Sequence, residues 1–167
     1  HHIQELYLDV QEAHRAAAEP LLADEGRLIE RLRIVFSTGL DQLTPYHAHA
    51  GEFLSAAVSP RSPINPLSTE SAEAFAIVEE LFAQAVGGAA SIGLPDDIRS
   101  LLPRALVLAH LLLALYWVYD TSEGQRRTRR LLDRALKLFA RLVPLTRLPV
   151  LRGAVRDALA LVTEVRA

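Results

Sequence analysis

Cysteine and methionine are both absent from this 167-residue chain. Their absence excludes disulfides, thiolate zinc sites, thiol nucleophiles and thioether ligands together. A translated chain begins with methionine unless it is removed, so the sequence is expected to be part of a longer protein. A secretory signal is lacking as well: no segment joins a charged start, an apolar middle and a small-residue cleavage site, which makes the cytoplasm the expected compartment. Enzyme signatures are equally scarce. There is no Ser-His-Asp order with a nucleophile elbow, no carboxylate pair on a convincing cleft face and no phosphate-binding glycine loop. No catalysis and no cofactor are expected.

Hydrophobic residues make up 50% of the chain, enough for one globular domain with its own core. The net charge of -2 hides an asymmetry, because residues 1–100 carry -9 and residues 101–167 carry +7. The two halves should attract one another. Seventeen of the eighteen cations are arginine, which beside so much alanine and leucine reads as GC-rich coding rather than selection for phosphate.

Apolar positions recur with a 3.6-residue period, period-2 alternation is missing, and Gly/Pro clusters fall between the periodic stretches. The expected fold is an all-α antiparallel bundle of six to seven helices. A first helix covers about Ile3 to Glu19, with Leu6, Val10, Ala13 and Ala17 on one face, and Pro20 bends or ends it. A second runs from about Asp24, a plausible N-cap, to Leu43, with Leu28, Leu32, Val35, Phe36, Gly39 and Leu43 in register. A short helix near His47 to Val58 precedes the proline-rich loop SPRSPINPLSTES. Thr69 or Ser71 caps the next helix, which runs to about Val86. Asp96 or Asp97 opens a long apolar helix, in which Pro103 either makes a kink or marks a true start at Ser100. A basic helix follows to Val143, and a last one spans about Leu148 to Val165, with Leu151, Ala154, Val155, Ala158, Leu159, Val162 and Val165 as its stripe.

The stretch ALVLAHLLLALYWVY, Ala105 to Tyr119, is apolar on nearly every side, so one core face cannot cover it. It is shorter than a membrane span, carries His110 near its middle and has charges at both ends. A second copy of the chain is the expected cover, and no membrane partner is.

The residues LLLALYWVYDTSEGQRRTRRLLDRALKLFARLVPLTRLP, Leu111 to Pro149, resemble the regulatory half of a tetracycline-repressor-like (TetR family) transcription factor. The loop at Ser59 to Ser71 and the opening HHIQELYLDVQEAHR, similar to that family's first regulatory helix, add to the resemblance. It implies that residues 1–167 form an effector-binding and dimerisation domain whose helix-turn-helix partner domain is absent from this chain. It also implies a homodimer in which helices at about 97–121 and 123–143 form a four-helix bundle with their symmetry mates. Operator DNA would be met only through the missing N-terminal domain, with an affinity that falls when a small molecule enters the helical core.

The candidate sites divide by chemistry. Arg126, Arg127, Arg129 and Arg130 in QRRTRR point in several directions around a helix and read as a rim making salt bridges to the acidic half or the other subunit. His47 and His49 would share a metal only in extended geometry, and no metal site is expected. His110, Leu113, Ala114 and Trp117 share one face of the apolar helix. His110 there is either a core histidine satisfied by a neighbour or a ligand contact. The resemblance adds Gln11, His14, Phe36, Phe75 and Phe82, with His49 and Phe53 from the short helix. These groups suit an apolar or aromatic effector, neutral or weakly cationic, with Glu79 the nearest acid. Two other functions fit the same features: a structural helical dimer without a ligand, and a soluble carrier of an apolar molecule.

Overall fold

A computed structural model describes residues 2–52, 72–90 and 93–164, and among them there are six α-helices and no strand. They are α1 (His2–Ala23), α2 (Leu28–Leu43), α3 (Ala72–Gly87), α4 (Asp96–Val118), α5 (Arg126–Leu142) and α6 (Pro149–Glu164). Short 3-10 turns at Thr44–His49, Glu123–Gln125 and Val143–Arg147 join them. His1, Phe53, the Ser59–Ser71 loop and the proposed caps Thr69 and Ser71 lie outside the described residues.

The first four helices enclose the core. Leu32, Val35 and Leu40 of α2, Leu81 and Phe82 of α3 and Val107 of α4 are wholly buried, each large apolar side chain contributing about 1.5–3 kcal/mol. α1 and α3 run in the same direction, since Tyr7 meets Phe75 near their starts and Arg31 bonds both of their ends. α2 runs back between them. Successive helices here are therefore antiparallel, as expected.

Arg31 accounts for that arrangement. Its buried guanidinium donates to the carbonyls of Leu22 and Glu25 at the end of α1 and to Gln84 and Ala85 at the end of α3. Helix ends leave carbonyls without intrahelical partners and carry partial negative charge, so one planar fork satisfies two ends together.

Three expectations at helix ends and faces are corrected. α1 passes through Pro20 and ends at Ala23, its end held by Arg31. Its core face is Gln11, His14, Ala18 and Leu22 rather than the stripe through Ala13, which is exposed. The apolar letters pointed one residue away because two polar side chains occupy the inner face. The second helix begins at Leu28 with Arg27 as N-cap, not at Asp24, because Glu25 folds back to accept the Arg27 backbone N–H at 3.0 Å.

α4 is one unbroken helix with Pro103 inside it, long and apolar enough by length and composition alone to cross a membrane. Ile98, Leu102, Leu106, Val107, His110, Leu113 and Trp117 bury its inner face. Its outer face leaves Leu112, Leu115, Tyr116 and Tyr119 exposed. α5 packs on α2 through Thr128, Leu132 and Leu136. α6 packs along α4 but buries only Thr163, leaving Leu151 and Val162 of its expected stripe largely in solvent.

The charge asymmetry is realised between helices. Arg129 reaches Asp41 at 2.7 Å, Arg152 reaches Asp97 at 3.2 Å and Arg104 reaches Glu79 at 3.8 Å.

Candidate functional site

Gln11 and His14 of α1 stand three residues apart and share a face; His110 of α4 enters the same region, and all three are buried. His14 Nε2 lies 2.7 Å from the Val35 carbonyl oxygen. A carbonyl only accepts, so Nε2 carries the proton, and in the neutral ring Nδ1 is left as a bare acceptor. The His14 and His110 rings stack with centroids 5.9 Å apart and planes 24° apart. Phe36 and Phe82 close the other sides of His110 at 6.2 and 6.4 Å and touch one another at 4.9 Å.

Gly39 of α2 makes this convergence possible. A Cβ there would lie 2.8 Å from His110 Cε1 and 2.9 Å from His14 Cε1, closer than atoms pack. The helix gives up a side chain so that two imidazoles can meet across it.

Electrostatics favours neutral rings. Burial lowers the His14 pKa below its usual value, against smaller opposing effects of the Val35 bond and Asp41. Burial, followed by the nearby His14, pushes His110 down to about 3. Gln11 Oε1, His14 Nδ1 and His110 Nδ1 are buried with no hydrogen-bond partner among the described residues. Buried polar atoms are nearly always paired, and these three on α1 and α4 depart from that rule.

Trp117 belongs to a second cluster two turns along α4. His47 packs edge-on against its ring at 4.8 Å, donates from Nε2 to the Trp117 carbonyl at 2.9 Å and receives Gln125 Nε2 on Nδ1 at 3.2 Å. Gln125 holds a left-handed φ of 50° to do so. His49, expected at the site, is exposed, because neighbours two apart on a helical turn face different ways. Phe75 is buried against Tyr7 at the far end of α1. Phe53 lies outside the described residues.

Glu79 faces away from the imidazoles, with Glu80, Pro103 and Arg104 on an outer groove of about 580 Å³ between α3 and α4. Of the four QRRTRR arginines, Arg129 is tied to Asp41 and the Ser37 carbonyl, and Arg126, Arg127 and Arg130 are exposed. No group of three or more His, Asp or Glu able to hold a metal ion occurs among the described residues.

Residues 31–161 match the family described as "Tetracyclin repressor-like, C-terminal domain". The chain belongs to this family. No curated protein matches the chain. Membership in the TetR-like C-terminal domain family means a regulatory, generally non-enzymatic domain associated with ligand binding and dimerisation. The matched region contains Gly39, Phe36, Phe82, His110 and Trp117 but not Gln11 or His14.

The sequence named Gln11, His14 and His110 as candidates but did not show that Gly39 lets the two imidazoles approach or that His47 packs on Trp117. A glycine inside an apolar helical stripe was the available signal for Gly39. For His47 there was none: HAH does not distinguish its two imidazoles until the turn is packed against the end of α4.

Proposed function

We propose that this domain binds an apolar or aromatic small molecule in the core between α1, α2, α3 and α4, dimerises, and passes occupancy to operator affinity through α1. The observation that carries this reading is the group of three unpartnered polar atoms at Gln11, His14 and His110, walled by Phe36 and Phe82. Leaving a buried donor or acceptor unmet costs about 1–3 kcal/mol. A ligand with an apolar body gains by burial against the phenyl rings and meets the polar atoms with one or two oriented bonds.

α1 suits transmission because it is fixed at one end. Arg31 pins its C-terminal carbonyls, while Gln11 and His14 at its middle face the site. A molecule entering there displaces the middle of α1 about that anchor, and its N-terminal end, where a DNA-binding domain would join, swings furthest. Occupancy then shifts the population between two settings of α1, with opposite preference for operator.

The uncovered apolar stripes support a dimer. α4 exposes Leu112, Leu115, Tyr116 and Tyr119, and α6 exposes Val150, Leu151, Leu161 and Val162. The ion pair from Asp97 to Arg152 ties the starts of these two helices together. We favour α4 with α6, rather than α4 with α5, as the elements meeting their mates, because α5 already buries its inner face on α2.

Native mass spectrometry of the purified chain, followed by denaturing release, tests the reading. A dimer carrying an extra small-molecule mass is the expected result. A dimer that never binds any apolar or aromatic compound would leave a purely structural role, and a stable monomer would overturn the dimer.

A further inference from the structure

The polar atoms of the site constrain the effector more tightly than its apolar walls do. His14 Nδ1 is an acceptor by necessity, since its Nε2 proton is committed to Val35 at 2.7 Å. Gln11 Oε1, from the same face of α1, is a second acceptor. The third unpartnered atom, His110 Nδ1, either accepts or donates according to its tautomer. From α1 the site therefore presents two lone pairs and no charge. The two imidazoles crowd the side of Gly39 where a Cβ would stand, with centroids 5.9 Å apart.

We infer that the effector is a neutral molecule with an aromatic or apolar body and at least one hydroxyl or N–H group, which it donates to His14 Nδ1. The inference rests on the effector-binding reading above and narrows its chemistry. A hydroxyl or an N–H meets His14 Nδ1 as a donor whichever tautomer His110 adopts. Anions are disfavoured because they would set lone pairs and negative charge against His14 Nδ1. Ethers, ketones and plain hydrocarbons are disfavoured because they leave the acceptors unmet. A site shaped for a donor rejects an analogue lacking it far more strongly than an apolar pocket rejects a missing methylene.

Matched pairs differing only in the donor test this. The purified domain is titrated calorimetrically with 2-naphthol and 2-methoxynaphthalene, with indole and 1-methylindole, and with 4-phenylphenol and 4-methoxybiphenyl. The donor-bearing member of a binding pair should bind at least about tenfold more tightly, about 1.4 kcal/mol. It should also shift the ¹⁵N resonance of His14 Nδ1, which the methylated partner leaves in place. Equal binding of the methylated and donor-bearing members would overturn the donor requirement while leaving the effector-binding reading intact. Failure of all six compounds to bind, with no change in melting temperature, would overturn both.

Discussion

Gly39 is where the site and the stability of the helix oppose one another. In an exposed helix interior, replacing glycine by alanine gains about 1 kcal/mol. Here the new Cβ would lie 2.8 and 2.9 Å from the Cε1 atoms of two buried imidazoles, and overpacking of a closed core costs about 1–3 kcal/mol. Gly39→Ala should thus lower stability in urea melts and abolish effector binding; a more stable variant would mean that the rings can part freely. The same two histidines set a pH dependence. Their folded pKa values lie below 6.5, so the unfolded chain binds more protons at mildly acidic pH. The contribution of His110 is fully present above about pH 6.5 and is lost as pH falls toward about 3, at up to about 1.4 kcal/mol per pH unit, and His14 adds a loss in the same direction. Melts at pH 7.5, 6.5 and 5.5 and one protein concentration should show stability falling, with His110→Leu flattening the slope. A flat wild-type profile would contradict the burial of neutral rings. His110 was legible in the sequence because a lone histidine in an apolar helix stands out. The pairing with His14 was not, since it depends on α1 turning a polar face inward, against its own apolar pattern.

At the scale of elements, the turn between α4 and α5 shows what a local pattern conveys and what it leaves out. DTSEG reads as a break, and the chain does break there, with Gly124 at φ 61°. The reason the break holds lies eight residues apart. Asp120, buried at the end of α4, accepts the Thr128 N–H at 2.8 Å and its hydroxyl at 2.7 Å, and the Ser122 N–H at 2.9 Å. Thr128 sits in the first turn of α5, whose N–H groups have no partner within the helix, and Asp120 supplies the cap from outside. Desolvation raises the Asp120 pKa, but the bonds from Ser122 and Thr128 outweigh it and hold the carboxyl well below the ordinary range. Asp120→Ala should cost about 2–4 kcal/mol, because several charge-assisted bonds are lost together. Asp120→Asn should fall between, as it keeps one accepting oxygen. Equal melting of all three proteins would show the cap to be idle. Capping at this distance has no sequence signature, whereas helix periods do, which is why all six helices were legible and their ends were less so. The Asp24 cap failed for the same reason: Arg31, seven residues on, organises that corner through tertiary contacts.

At the scale of the molecule, the outer face of α4 leaves Leu112, Leu115, Tyr116 and Tyr119 exposed, in line with the all-round apolar composition of ALVLAHLLLALYWVY. Which helices share the burden was not legible, because periodicity marks two faces of α4 without saying which neighbour extends the outer one. α5 and α6 both leave leucines in solvent: Leu131, Leu138 and Leu142 on the first, Leu151 and Leu161 on the second, where Leu161 is 67% exposed. They differ in what lies beneath. α5 is seated on α2 by Thr128, Leu132 and Leu136 and by Arg33 to Asp133 at 2.9 Å. α6 has only Thr163 buried and otherwise lies along α4, which is why the proposed dimer pairs α4 and α6 with their mates. A charge in the middle of such an interface is buried without a partner in the dimer and is solvated in the monomer. Leu161→Glu and Leu112→Glu should therefore shift sedimentation toward monomer, with the circular dichroism of each chain remaining helical. Leu138→Glu on α5 should leave the dimer in place. The reverse result, dimer loss with Leu138→Glu alone, would return the interface to α4 and α5. It would leave the stripe of α6 free to meet something other than a second copy.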